Sequence, residues 1–193
     1  MTALVVNLRP TIDLTDEQFF QLCQHNPELR FERTAKGELV IMSPTGSGTG
    51  KRNFNLTTQL GVWVEQDSSG VGFDSSTGFK LPNGANRSPD VAWILNDRWN
   101  ALTSEQQERF APIAPDFVIE LRSKTDSLET LEAKMQEYIE NGVRLGWLLD
   151  PQMPQAKIYR PGRSVEIILS PTTLSGEDVL PGFVLNLRSI FSE

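Results

Sequence analysis

The pattern of apolar and polar positions is clearest in segment 114–151, where two apolar runs flank a helical stripe. The first run, 116–123, has the length and composition of a buried strand, and a second run of this kind ends at Asp150. Between them, a helix after Asp126 places apolar side chains at helical spacing: Leu128, Leu131, Met135, Tyr138 and Ile139. Units of this kind are almost always right-handed crossovers between parallel strands, which we expect for 116–150.

The flanking sequence predicts further helices and hairpins around this unit. Thr15 and Thr103 each precede a glutamine by three residues, the spacing of a capping box, and so mark two helix starts. The predicted elements are a helix after Thr15, a hairpin of 29–34 and 38–42, a helix over 51–66, strands at 78–82 and 89–95, a helix over 104–110, a hairpin over 157–169 and a strand at 183–191. Together they indicate an α/β (α+β) fold with a mixed sheet flanked by helices and with hairpins at both ends. No linker divides the chain, so we expect one domain over 1–193.

The stretch SPTGSGTG at 43–50 is rich in Gly, Ser and Thr, which predicts a flexible loop. It lacks the GxxxxGK[ST] spacing of a nucleotide-binding loop, and no Ser or Thr follows Lys51. We therefore interpret 43–50 as a mobile flap beside a functional site.

Two acidic residues interrupt or precede apolar strands. Glu120 lies inside the run 116–123, where an unpaired charge is costly, so its carboxylate needs a cation, a metal or a proton. Asp90 stands at the head of the strand in RSPDVAWIL, either as an aspartate that begins the strand after Pro89 or as a second functional acid. Alternation puts Glu120 on the same face as Arg122, so an ion pair of Glu120 with Arg122 or with a lysine is the structural alternative to a metal site.

The lysine at position 134 is a candidate partner for these acids. At about 100° per residue, Lys134 lies on the flank of the apolar stripe of its helix. A flanking lysine runs its stem along the core and delivers its ammonium to the edge of the sheet. The alternative is an ammonium that reaches solvent without a partner.

Composition limits the chemistry and the location of the protein. One histidine and one cysteine exclude a zinc site built from nitrogen and sulfur ligands, so any metal would sit on oxygen ligands, which favours magnesium, manganese or calcium. The single cysteine, Cys23, excludes an internal disulfide and suits a reducing compartment. No apolar run approaches the roughly 18–20 residues of a membrane helix, and no secretory signal is recognisable. We expect a cytoplasmic protein without a membrane partner.

A net charge of −7 argues against a partner with a phosphate backbone, although a cleft can be locally basic on an acidic protein. Seven basic residues lie near the candidate acids in sequence: Lys51, Arg52, Lys80, Arg87, Arg122, Lys124 and Lys134. Three tryptophans, Trp93, Trp99 and Trp147, either form an interface together with the hairpins, for example of a homodimer, or belong to the core.

Three strings of this sequence, SPDVAWI, PDFVIELRS and AKMQEYIENGVRLGWLLDP, resemble the PD-(D/E)XK superfamily of restriction-endonuclease-like nucleases. They are most similar to its bacterial Uma-type branch, which is also labelled a domain of unknown function. The resemblance runs from ELVIMSPTG at 38–46 to the Asp-Pro at 150–151.

This resemblance implies a Mg²⁺ or Mn²⁺ site in which Asp90 and Glu120 are the two acidic ligands and the carbonyl of Leu121 is a third. The superfamily has a lysine two residues after the second acid, and Arg122 stands there in this chain. Arginine holds its proton too tightly to act as a base but can bind phosphate. The Uma-type branch takes its lysine from the following helix, which implies Lys134, with Lys124 as the second choice.

Glu38 matches a further acid of the branch. It would help to hold the metal or the lysine, and a plain hairpin glutamate is the alternative.

The function implied is a metal-dependent endonuclease that hydrolyses DNA phosphodiester bonds. The alternative, favoured by Arg122 and by the acidic net charge, is a catalytically silent relative that binds nucleic acid or a protein partner. A purely structural subunit would leave the converging charged groups without a use. Fold alone does not decide between these, because one fold carries many functions.

Overall fold

The computed structural model describes residues 4–192, with the strand–helix–strand unit at its centre. The strands are β1 (Leu4–Val6), β2 (Arg30–Arg33), β3 (Leu39–Met42), β4 (Gly70–Asp74), β5 (Phe79–Lys80), β6 (Asn86–Arg87), β7 (Val91–Leu95), β8 (Phe117–Leu121), β9 (Leu145–Asp150), β10 (Gln155–Tyr159), β11 (Glu166–Leu169), β12 (Thr173–Ser175) and β13 (Val184–Asn186). The helices are α1 (Asp16–His25), α2 (Ser47–Asp67), α3 (Asn96–Asn100), α4 (Ser104–Gln107), α5 (Leu128–Glu140) and α6 (Arg188–Phe191).

The main sheet has six strands in the order β11-β10-β9-β8-β7-β4. Strands β8 and β9 pair in parallel and α5 connects them, while all other pairs in this sheet are antiparallel. Every residue of β8 and β9 is buried, because side chains pack on both faces of these central strands. The predicted mixed sheet and the parallel pairing at its centre are confirmed.

A second sheet holds the N-terminal hairpin. Its order is β1-β3-β2-β6-β5, with all neighbours antiparallel. A small two-stranded sheet of β12 and β13 follows the main sheet in sequence. Strands β1, β4, β6 and β12 are absent from the sequence-based prediction, because runs this short carry little periodicity.

Helix starts follow their capping residues. Thr15 and Thr103 each accept a hydrogen bond from the backbone N–H three residues on, and the glutamine there bonds back to the cap. Both predicted capping boxes are therefore confirmed. Ser127 caps α5 in the simpler way, by accepting from the N–H of Thr130. Among residues 4–192, no helix is long and apolar enough to cross a membrane.

Two predicted elements differ most from the structure, and the helix predicted over 104–110 is the shorter α4, which ends at Gln107. Helix α2 begins at Ser47, so residues 47–50 form its first turn and only 43–46 remain as a loop. The predicted strand at 183–191 ends at Asn186, and 188–191 form a helical turn. In both places tertiary packing outweighs weak local preferences, which include the low helix propensity of glycine: α2 packs against β4, and α6 packs against α2.

Buried tryptophans identify the core. Trp93 and Trp147 are fully buried, on β7 and β9, and belong to the large cluster between the main sheet and the C-terminal segments. Trp99 is partly buried against a second cluster under α5. Trp93 and Trp147 therefore serve the core, and the idea that they form an interface is wrong.

Candidate active site

Asp90 and Glu120 lie opposite each other on neighbouring strands. Strands β7 and β8 pair with Val91 opposite Ile119, so the same antiparallel register brings Asp90 next to Glu120. Residues opposite each other in such a pair project from the same face of a sheet. Asp90 and Glu120, the two predicted acidic ligands, thus meet at one end of the β7–β8 pair.

Backbone and side-chain donors hold the carboxylate of Asp90. The N–H of Leu121 donates to Oδ2 at 2.8 Å, and Nδ2 of Asn53 donates to Oδ1 at 2.8 Å. Asn53 lies on α2, one turn and a half after the start of that helix. The carboxylate therefore has a fixed orientation, and its position depends on both β8 and α2.

Lys134 reaches from α5 to Glu120. Its Nζ lies 2.8 Å from Oε1 of Glu120 and 2.7 Å from Oε1 of Glu32, and its side chain is only 11% exposed. The carbonyl of Ser88 lies 3.4 Å from the same nitrogen. The alternative of an ammonium that reaches solvent without a partner is wrong for this residue.

Glu32, on β2, is the acid that the sequence-based reasoning did not select. Its carboxylate is buried and accepts from the N–H of Ser88 at 2.9 Å and from Nη1 of Arg87 at 3.0 Å, in addition to its contact with Lys134. Arg87 in turn donates through Nε to Glu137 at 2.6 Å. An acid in the middle of a hairpin strand was the available signal, and it is the same signal that drew attention to Glu120.

Tyr138 completes the surroundings of Glu120. It is fully buried one turn after Lys134 on α5, and its hydroxyl donates to Oε1 of Glu120 at 3.0 Å. The spacing of Lys134 and Tyr138 puts both side chains on the same side of the helix. Oε1 of Glu120 therefore receives two donors from one helix.

The three other residues singled out in the sequence lie outside this cluster. Arg122 pairs with the buried Asp150 at 2.8 Å, because β8 ends at Leu121 and the alternation of the strand no longer applies. Lys124 is exposed. Glu38 accepts from the hydroxyl of Thr34 at 3.0 Å within its own hairpin turn. The predicted ion pair of Glu120 with a lysine is present, and the one with Arg122 is absent.

Burial and neighbouring charges shift the pKa values of the acids in opposite directions. Burial raises the pKa of Glu120 to about 7; the Lys134 ammonium opposes this shift, and the carboxylates of Asp90 and Glu32 add to it. Burial also raises the pKa of Asp90, against the donors that hold it. For Glu32 burial acts in the same direction, but Lys134 and Arg87 outweigh it and lower the pKa.

The pKa of Lys134 moves the other way. Burial would lower it, but the carboxylates of Glu120 and Glu32 outweigh burial and hold it above its usual value. Lys134 is therefore an ammonium at neutral pH, and it donates hydrogen bonds rather than accepting a proton.

The donors available to a metal are hard oxygens. Four carboxylates, of Glu32, Asp90, Glu120 and Glu137, face two cations, Lys134 and Arg87, which leaves two formal negative charges in the cluster. Within residues 4–192 no three His, Cys, Asp or Glu side chains converge on one point, because Lys134 separates Glu32 from Glu120. The predicted acidic ligands that face each other without Lys134 between them are therefore two, Asp90 and Glu120.

The cluster opens into a cleft of about 1860 Å³ between the two larger sheets and the start of α2. Residues 43–50 line this cleft, as do Asp90, Glu120 and Lys134. The stretch predicted as a flap is thus beside the site, although half of it is helical.

The family of the chain follows from comparison of its sequence with protein-family models. The Uma2 model, described as "Putative restriction endonuclease", matches residues 16–188. The chain belongs to the Uma2 family. The candidate acids and Lys134 all fall inside the matched range, and the resemblance inferred from the sequence strings is confirmed.

A solved structure resembles this Uma2 chain over nearly its whole length. It is described as a putative nuclease belonging to DUF820 from Anabaena variabilis ATCC 29413, with 19% sequence identity and a TM-score of 0.74. The match covers 92% of this chain and 97% of that chain. At this identity the likeness supports the fold, and the predicted restriction-endonuclease-like fold class is confirmed. Among curated proteins, none matches this chain.

Proposed function

We propose that this protein is a divalent-metal-dependent nuclease that hydrolyses phosphodiester bonds of DNA. Asp90, Glu120 and the carbonyl of Leu121 would hold Mg²⁺ or Mn²⁺, and Lys134 would be the cation beside the reacting phosphate. The observation that carries this proposal is that Asp90 and Glu120 lie opposite each other across β7 and β8, with the ammonium of Lys134 2.8 Å from Glu120. Membership of the Uma2 family supports the same reaction class.

The donor set fits a hard divalent ion. Carboxylate and carbonyl oxygens are the ligands that Mg²⁺ and Mn²⁺ prefer. Burial raises the pKa of both Asp90 and Glu120, and the carboxylate of Asp90 adds to the shift of Glu120. A divalent ion between them would stabilise the charged forms of both acids. When bound, such an ion polarises the scissile phosphate and acidifies a coordinated water.

The protein side chains would position the metal ligands and stabilise the negative charge that builds up in the reaction, without taking a proton. Lys134 is protonated, so its N–H groups would donate to the phosphate or to the attacking water and offset negative charge that builds up there. Asn53 and the N–H of Leu121 would keep Asp90 oriented. Tyr138 would do the same for Glu120.

A cleavage assay with matched variants tests the proposal. We expect the protein to cleave oligonucleotide DNA with Mg²⁺ or Mn²⁺ and to lose cleavage when a chelator is added. Asp90→Asn and Glu120→Gln should each abolish cleavage, because each removes a ligand. Glu65→Gln is the control, since Glu65 is an exposed acid at the far end of α2.

The contrary result would be retained cleavage in either ligand variant, or no cleavage by the wild type with any divalent ion. The second outcome would favour the other candidate function, a catalytically silent protein that binds nucleic acid or another protein. One observation favours that candidate: Arg122, at the usual lysine position, is engaged with Asp150 and does not face Glu120.

A further inference from the structure

We infer that the substrate of this site is single-stranded nucleic acid, bound through its bases by a partly exposed apolar wall of the cleft. This inference rests on the proposed nuclease function and specifies its substrate class. The apolar wall consists of four side chains that line the same cleft as the candidate ligands: Val5, Val40, Met42 and Phe54.

Phe54 is the main feature of the apolar wall. Its side chain is 73% exposed, although phenylalanine is among the most costly residues to leave in water. None of the three buried clusters formed by residues 4–192 includes it. Phe54 directly follows Asn53, whose amide holds Asp90. An exposed aromatic ring therefore lines the same cleft as the candidate metal ligands.

The register of the second sheet connects the rest of the apolar wall to the site. Val5 lies opposite Val40, and Val40 lies opposite Glu32, so these three side chains share one face of that sheet. Glu32 contacts Lys134, and Val5 is 55% exposed. The same face thus runs from the ion cluster at Glu32 to exposed apolar surface at Val5.

The charge of the cleft argues against a double helix as the ligand. Seven basic and eight acidic side chains line it, and three of the basic ones, Arg87, Arg122 and Lys134, are already in ion pairs. Affinity for duplex DNA comes largely from neutralised phosphates, which this cleft does not favour. A single strand carries phosphates as well, but only an unpaired strand offers its base faces, and each base stacked on an aromatic side chain adds affinity that a duplex does not gain.

Binding can be measured separately from cleavage in the double variant Asp90→Asn/Glu120→Gln with a chelator present. This variant cannot hold the proposed metal, and it lacks the two buried charges that would repel phosphate. The probe is a fluorescein-labelled oligo(dT) of about 16 nucleotides, long enough to span one binding groove. Fluorescence anisotropy gives its affinity, and the same oligonucleotide annealed to its complement gives the affinity for duplex.

We expect the single strand to bind more tightly than the duplex, and Phe54→Ala to weaken that binding about tenfold, within the range for loss of one stacked base. Val62→Ala is the control, because Val62 is 53% exposed on the same helix but lies outside the cleft. An oligonucleotide with abasic sites should bind with equal, weak affinity to the double variant and to the double variant that also carries Phe54→Ala, because no base remains to stack.

Three outcomes would overturn the inference: a duplex that binds as tightly as the single strand, a Phe54→Ala affinity equal to that of Val62→Ala, or no binding of either nucleic acid. A fourth would assign the apolar wall to a second copy of the chain. In that case Phe54→Ala would convert a dimer to a monomer in sedimentation analysis and leave oligonucleotide affinity unchanged. Cleavage by the wild type with Mg²⁺ is scored independently, so failure of the nuclease proposal and failure of this inference are distinguishable.

Discussion

Replacing Lys134 by methionine is the sharpest perturbation of the buried ion cluster. Methionine keeps most of the length and the apolar stem of lysine but removes the ammonium. The side chains of Lys134, Glu120 and Glu32 are 11%, 5% and 4% exposed, so the two carboxylates would lose their shared cation where water hardly reaches them. We expect Lys134→Met to lower the free energy of unfolding.

The size of the loss follows from what the two acids retain. Removing one partner of a buried ion pair costs about 3–5 kcal/mol. Glu32 keeps Arg87 and the N–H of Ser88, and Glu120 keeps Tyr138 and can take up a proton near neutral pH. The expected loss therefore lies at the lower end, about 3 kcal/mol, which corresponds to a decrease in Tm of about 6–12 °C for a chain of this size.

The assay is urea denaturation without metal at neutral pH, followed by the fluorescence of the buried Trp93 and Trp147. Lys124→Met is the matched control, because Lys124 is exposed. Glu120→Gln combined with Lys134→Met should recover part of the loss, since only Glu32 would then remain charged beside the missing ammonium. If Lys134→Met costs less than about 1 kcal/mol, the value of a surface pair, Lys134 does not hold the cluster together.

Three further predictions concern pH, the start of α2 and the start of β4. The pKa of Glu120 is about 7 in the folded protein and 4.5 in the unfolded chain, so wild-type stability should fall as pH rises through that window. Denaturation at a series of pH values should find this dependence weaker in Glu120→Gln. An equally steep fall in that variant would contradict the prediction. Gly50→Ala should stabilise the protein by about 0.5–1 kcal/mol, because Gly50 is helical and an added Cβ meets no atom within 4 Å. Gly70→Ala should destabilise it, because that Cβ would collide with the carbonyl of Ile94 and the ring of Trp93, and thermal melts of both variants test the contrast.

Local signals in the sequence predicted local structure well. The capping boxes at Thr15 and Thr103 involve residues three apart, so the sequence alone contains both partners. The apolar runs around Glu120 were long enough to indicate buried strands, and the helical periodicity placed Lys134 on a flank from which it could reach the acids, with solvent as the alternative. These inferences needed only periodicity and the cost of burying a charge.

Contacts between distant segments could not be predicted in the same way. Glu32 meets Lys134 only because the second sheet packs near α5, and the position of Glu32 within a hairpin strand does not indicate which residue it contacts. Arg122 was expected on the face of Glu120, but β8 ends one residue earlier, and Arg122 turns to Asp150 instead. The end of a strand depends on its neighbours in the sheet, and the sequence of one strand does not contain them.

The most direct test of the proposed metal site is a crystal structure of the protein soaked with Mn²⁺, with the ion located by its anomalous scattering. We predict one peak between the carboxylates of Asp90 and Glu120, close to the carbonyl of Leu121, and its loss in Asp90→Asn crystals. A wild-type structure without Mn²⁺ at this position, or with Mn²⁺ bound only elsewhere, would contradict the proposal that Asp90 and Glu120 form a metal site.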